Sequence, residues 1–322
     1  MSRQDIINYL GPDWDGTLAL IREHLHTDVG LLEETNGRLL SNSGKLLRPM
    51  LALLTARAIG TPVEASRCFA AATELFHNAT LMHDDVADGS AERRGRPTVS
   101  ALLGPGAAVL VGDYWLARAV ELILGSDGHD DVICLYSRTL VDLAEGEMLQ
   151  LEKASSGDTT EEDYLRIIHC KTASLFCVAA ETAALSVGAS PAQRAAARSY
   201  AAACGAAFQI KDDILDYAGT DALGKPVGVD LREQKITLPL LGALKDSPRE
   251  AEIRAMVREI PSHPEYCDVI RAFVAERDGI GYAARRLEAW VERAVRALEA
   301  FPESPAREYL ADIARYNQFR QV

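Results

Sequence analysis

Along almost the whole chain, apolar positions return every third or fourth residue: Leu18, Ile21 and Leu25 near the start, Val269, Ile270, Phe273 and Val274 towards the end. That period is the one-sided stripe of a helix. Alanine fills much of the remainder, as in "AAETAAL" and "AQRAAARSYAAACGAAF", and it is the residue that a helix accepts at least cost. Runs that alternate apolar with polar residues, the mark of a half-buried strand, are nearly absent. The pattern predicts an all-α bundle of about ten or more helices. Breakers divide it at Gly11-Pro12, Gly60-Thr61-Pro62, Gly104-Pro105-Gly106 and Ser155-Ser156-Gly157-Asp158. A longer interruption, "AGTDALGKPVGVDLREQK" at 218–235, sets three glycines and a proline between two helical segments. Loops of that length inside a compact domain are functional or disordered. No Pro/Gly/Ser-rich linker splits the chain, so residues 1–322 are expected to form one domain.

Composition agrees with a large core and excludes disorder: the 322 residues are 48% hydrophobic and 25% charged. Six cysteines (Cys68, Cys134, Cys170, Cys177, Cys204, Cys267) lack CxxC spacing, which predicts reduced, mostly buried thiols and a cytoplasmic protein. The start, "MSRQDIINYLGPDWDG", has no apolar signal region. The most apolar window, "GAAVLVGDYWLARAVELILG", is broken by Asp113, Arg118 and Glu121 and predicts a buried helix, with no transmembrane segment. A net charge of −13 without a basic stripe argues against nucleic acid as a partner. Any anionic ligand must then be held by local cations or by metal.

Two acidic clusters change the picture. "HDDVAD" places Asp84 and Asp88 one helical turn apart on one face, with Asp85 about 100° round the axis. Like charges at this spacing destabilise an isolated helix by a few tenths of a kcal/mol, so something should offset them. "FQIKDDILDYAG" repeats the spacing with Asp212, Asp213 and Asp216. Each cluster follows an apolar helix, and two such turns can face one another across a cavity. Their hard oxygens suit Mg²⁺, which binds through one or two carboxylates and completes its octahedron with water and phosphate. Complementary cations are at hand in Lys45 and Arg48, Arg93 and Arg94, Lys171, Lys225 and Lys235. Together they suggest two phosphate subsites, one bridged by metal and one gripped by Arg and Lys.

These segments stand in one order: "GKLLRP" (44–49), "HNATLMHDDVAD" with "RRGRPT" (77–98), "GDYWLARA" (112–119), "KTASLF" (171–176), "FQIKDDILD" (208–216) and "GKPVGVDLREQKITLPL" (224–240). The set resembles the trans-type isoprenyl diphosphate synthases, the polyprenyl diphosphate synthase family. One departure is Leu46, where that family commonly has a basic residue. The resemblance implies an isoprenoid-synthase bundle around a central apolar cavity and a Mg²⁺-dependent prenyltransferase. It would condense isopentenyl diphosphate head-to-tail with an allylic diphosphate into a medium- or long-chain all-trans product. Alternatives on the same fold are a short-chain farnesyl or geranylgeranyl diphosphate synthase, a terpene cyclase and a non-catalytic synthase subunit. A homodimer and three Mg²⁺ per site are implied too.

Residue by residue, the resemblance assigns Asp84, Asp88 and Asp212 as Mg²⁺ ligands, with Asp85, Asp213 and Asp216 supporting them. Arg93, Lys171, Lys225 and Lys235 would hold the allylic diphosphate, and Lys45, Arg48, His77 and Arg94 isopentenyl diphosphate. Thr172 and Gln209 would turn oxygens toward the developing allylic cation. His83 has no assigned role and is expected to be structural. Ala79 and Thr80, five and four residues before Asp84, would line the tunnel into which the product grows. Both are small, which predicts long products that stop at a deeper floor near Trp115 or Leu122.

Overall fold

The computed structural model describes residues 2–42, 44–218 and 228–319. In chain order the helices are α1 (Arg3–Leu10), α2 (Pro12–Leu25), α3 (Gly30–Ser41), α4 (Leu47–Ile59), α5 (Glu64–Ala87), α6 (Val99–Leu103), α7 (Pro105–Leu124), α8 (His129–Ser156) and α9 (Glu161–Ile168). They continue with α10 (Ser174–Ser186), α11 (Pro191–Ala218), α12 (Val229–Arg232), α13 (Leu238–Leu244), α14 (Glu250–Glu259), α15 (Tyr266–Glu276), α16 (Gly279–Ala297) and α17 (Pro305–Phe319). The all-α expectation holds. Among the described residues the one sheet is a hairpin of β1 (Glu92–Arg93) and β2 (Arg96–Pro97). No helix of the described residues is long and apolar enough to cross a membrane.

The chain packs into two compact units. One comprises Met1–Ser137, Val178–Ala197 and Ala300–Leu310; the other comprises Arg138–Cys177, Arg198–Glu299 and Ala311–Val322. In the first unit α5 packs against α2, α4 and α7. It buries Phe69, Leu75, Phe76 and Met82, each contributing about 1.5–3 kcal/mol when fully removed from water. The Trp115 indole on α7 donates to Asn36 Oδ1 at 2.8 Å, fixing α3. What ends α5 is Gly89, at φ +62°. Its amide donates to the Val86 carbonyl and that of Ser90 to the Asp85 carbonyl, the pair of bonds that closes a Schellman turn. The acidic cluster therefore occupies the last turn of a core helix, as its position after an apolar run predicts.

In the second unit the regular period breaks at His169–Ala173, a π-helical turn between α9 and α10. Two glycines let neighbouring helices close on it. A Cβ at Gly205 of α11 would lie 2.7 Å from the Ala173 Cα, and one at Gly146 of α8 would lie 2.5 Å from the Cys170 Cβ. Beyond α11 the chain returns to its own acidic cluster. Asp216 accepts from the amides of Gly228, through its carbonyl at 3.1 Å, and of Val229 and Asp230, through its carboxylate at 3.1 and 3.3 Å.

Candidate active site

In the first unit the hairpin separates two consecutive arginines. A two-residue loop matched to strand twist needs positive φ at both central residues, and Arg94 and Gly95 stand at +54° and +71°. Arg93, on β1, turns its Nε to Asp85 Oδ1 at 2.7 Å. Arg94 turns the other way: Nη1 donates to the Asn42 carbonyl at 3.1 Å, and the guanidinium occupies the space that a Cβ at Gly44 would fill, 2.4 Å from Nη1. That contact explains the glycine of "GKLLRP" and brings Arg94 to the segment carrying Lys45 and Arg48. Leu46, in the same segment, holds left-handed geometry at φ +51° at the head of α4.

Three of the predicted residues, Arg48, His77 and Arg94, thus share one basic neighbourhood. Burial pulls Arg48 down to about 10, against the attraction of Glu74 and with the repulsion of Arg94, so it stays cationic at neutral pH. Burial, then Arg48, Arg94 and Arg93, push His77 well below its usual range. Its Nδ1 is buried without a hydrogen-bond partner. Glu74, itself pushed up by burial, is held by Asn78 at 2.8 Å and supplies the counter-charge. Lys45 is exposed, its carbonyl accepting from Arg3 Nε at 3.0 Å.

The three aspartates of this cluster are not equivalent. Asp85 is buried and spent on Arg93, while Asp84 is half-buried and Asp88 exposed. His83, expected to be structural, packs where Gly112 of α7 has no side chain and pairs with Asp113 at 3.2 Å. This accounts for the glycine and aspartate of "GDYWLARA". Ala79 is buried at 1% exposure, and Thr80, half-buried, donates to the His77 carbonyl.

The second unit contains a cavity of about 160 Å³ lined by Lys171, Thr172, Gln209, Asp213 and Lys235. Lys171 pairs with Glu147 at 2.5 Å, and Lys235 with Glu233. Asp213 is buried and accepts from Tyr164 Oη at 2.6 Å and Gln209 Nε2 at 2.9 Å. Burial foremost, then Asp230, lifts it well above the carboxylate range. Asp212 and Asp216 are half-buried. Sequence reading passed over Tyr164, Gln150, Lys153 and Asp230, which line the same cavity. Tyr164 sits seven residues before Lys171, a spacing that marks a shared helix face. Asp230, lifted to about 6 by burial and then by Asp216, lies inside the quoted glycine-rich motif. Lys225 lies outside the described residues.

Both clusters stand at helix C-termini, where the macrodipole is negative and each carboxylate costs about 0.3–1 kcal/mol. A cation is the natural offset. Among the described residues no three Asp, Glu, His or Cys side chains converge as a ready metal cage. That suits Mg²⁺, which takes one or two protein carboxylates and draws its remaining ligands from water and phosphate. Asp84 with Asp88, one turn apart in the first unit, is a donor pair of this kind, and Asp212 in the second unit is a single donor of the same chemistry.

Core helices that end in carboxylates, with lysine and arginine nearby, are an arrangement able to hold oxyanions through bound cations. The chain belongs to the polyprenyl synthetase family, whose model matches residues 29–273. It is 37% identical over 316 residues to the octaprenyl diphosphate synthase of Escherichia coli, covering 98% of each chain. It is similar in structure to a decaprenyl diphosphate synthase from Rhodobacter capsulatus, with a TM-score of 0.92, 36% identity and 98% of each chain covered. A polyprenyl synthase from Caulobacter crescentus, solved with calcium and isoprenyl diphosphate, gives 0.89 at 34% identity, covering all of this chain and 98% of the other.

Proposed function

We propose that this protein is a prenyltransferase that condenses isopentenyl diphosphate with an allylic diphosphate and repeats the step to make a medium- or long-chain all-trans polyprenyl diphosphate. The observation that carries the reading is the neighbourhood of Arg48, His77 and Arg94, with Arg94 seated on Gly44 beside Lys45 in the chain. A lone diphosphate-cleaving site has no need of this second anion-holding group. Arg48 and Arg94 bind isopentenyl diphosphate by paired guanidinium bonds, while Lys171 and Lys235 hold the allylic diphosphate. Arg93, anchored on Asp85, presents its remaining N–H groups to the same anion. Both acidic clusters serve one reaction, and the two units act as one catalytic domain.

When bound, Mg²⁺ supplies positive charge to the leaving diphosphate. The lysines stabilise the same charge as the C1–O bond breaks. Thr172 and Gln209 face oxygen lone pairs to the allylic cation, which the isopentenyl double bond attacks before a proton passes to the released diphosphate. The apolar surroundings keep out water, which would quench the cation to an alcohol. We place the reaction in the cytoplasm and in a homodimer. The exposed apolar stripe of Val141, Met148 and Leu151 along α8, each more than half exposed, supports pairing of two copies.

The test is turnover of isopentenyl and farnesyl diphosphates with Mg²⁺, followed by mass analysis of products. Asp84→Ala and Asp212→Ala should each lower kcat by about a hundredfold or more with helix content unchanged. Near-normal turnover by either variant, or full activity in excess chelator, would end the reading.

A further inference from the structure

We infer that Tyr164 is a positioning residue for the prenyl transfer: through Asp213 and Gln209 it sets the hydroxyl of Thr172 so that only lone pairs face the reacting centre. This inference deepens the proposed function and rests on it. Three hydrogen bonds form an unbranched series. Tyr164 Oη donates to Asp213 Oδ2 at 2.6 Å, Gln209 Nε2 donates to Asp213 Oδ1 at 2.9 Å, and Thr172 Oγ1 donates to Gln209 Oε1 at 2.9 Å. All four residues line the cavity of the second unit.

Donor capacity fixes the sense of the series. Both oxygens of Asp213 accept, Oδ2 from Tyr164 and Oδ1 from Gln209, so the end of Gln209 that meets Asp213 is its NH₂. The amide oxygen then faces Thr172, whose single proton is committed to it. What Thr172 has left is lone pairs. A hydroxyl or NH₂ turned with its protons toward a developing carbocation would oppose it, whereas oxygen lone pairs stabilise it.

Tyr164 keeps this arrangement in one sense. It is buried, as is Asp213, and it pins the carboxylate oxygen that Gln209 does not use. Without the phenol hydroxyl, the carboxylate is free to turn and the amide of Gln209 is held in neither orientation. The setting of the series is rigid elsewhere: Thr172 lies in the π-helical turn, and Gly205 brings α11 directly against Ala173 of that turn.

Tyr164→Phe removes one oxygen and keeps the ring. The expected result is a kcat lowered about tenfold or more, with the KM for isopentenyl diphosphate and the half-saturating Mg²⁺ concentration within about twofold of wild type. In Tyr164→Phe/Thr172→Val the loss of the tyrosine hydroxyl should add less than about twofold to the effect of Thr172→Val alone, because the group being positioned is gone. A merely structural tyrosine would lower activity by the same factor in both backgrounds. Melting temperature reports folding; should Tyr164→Phe not fold, Asp213→Asn is measured with the same expected split between kcat and KM. Unchanged kcat in a folded variant, multiplying effects in the double variant, or a change confined to KM overturns the inference while wild-type turnover leaves the functional reading standing. A wild-type protein without turnover overturns both.

Discussion

At the scale of single residues, the same spacing gave three aspartates that sequence treats alike and that the fold divides. Asp85 is buried on Arg93, and Asp213 is buried between Tyr164 and Gln209, so the middle residue of each cluster is tied to partners within its own unit. Burial separates them, and burial depends on partners distant in sequence. The divergence of Arg93 and Arg94, by contrast, was legible because adjacent side chains cannot share one direction. His77 carries a pH consequence. Its folded-state pKa lies well below the ordinary 6.5, so the unfolded chain binds a proton that the folded one refuses. Stability is full above pH 6.5 and falls as pH drops from there toward the depressed folded value. Melting curves from pH 7 to 5 should show this slope, and His77→Gln should flatten it. An identical slope in the variant would mean that another group is responsible.

At the scale of elements, the helical period located most of the chain, and the breakers Gly60, Gly104 and Gly157 stand at helix ends. The hairpin at Glu92–Pro97 escaped because two-residue strands are too short to alternate. The π-helical turn escaped because the helix that follows it is buried on nearly all sides from Ser174 to Ala184, leaving no one-sided stripe in which a shift of phase could be read. Yet this turn carries Lys171 and Thr172, and close helix approach holds it in place. Gly205→Ala forces a methyl group to within 2.7 Å of the Ala173 Cα, contact with backbone that cannot swing aside. Destabilisation of about 1–3 kcal/mol is expected in urea unfolding, with reduced turnover in the fraction that folds. Gly37 in α3 has nothing within 4 Å of its would-be Cβ. Gly37→Ala should therefore stabilise by about 0.5–1 kcal/mol, the ordinary helix preference for alanine. Equal effects at both positions would show that backbone freedom, not close packing, sets the response.

At the scale of the whole molecule, the depth open to the growing chain sets the length of the product, and Ala79 bears on it. An isoprenoid unit extends about 5 Å, close to one helical pitch, and the five residues from Asp84 back to Ala79 descend about 7–8 Å. With the metal and diphosphate above it, a block at that depth stops growth after roughly two or three units. Alanine provides no block. Trp115 and Leu122, read from sequence as a deeper floor, are both buried in the first unit; the Trp115 indole is further tied to Asn36. Ala79 itself is buried, and α5 packs closely on its neighbours, so a larger side chain there has two distinct fates. Projecting into the path of the product, a phenyl ring shortens it; wedged between helices, it overpacks the core at a cost of about 1–3 kcal/mol. We expect the wild-type protein to make chains of about thirty carbons or more, and Ala79→Phe to make about fifteen to twenty at comparable rates, the difference being the depth of two to three units. Mass analysis of products beside a melting curve separates the two fates. An active variant with an unchanged product distribution would remove Ala79 from the tunnel wall, and a wild-type product of about fifteen carbons would mean that a side chain already closes the path within this first turn and a half.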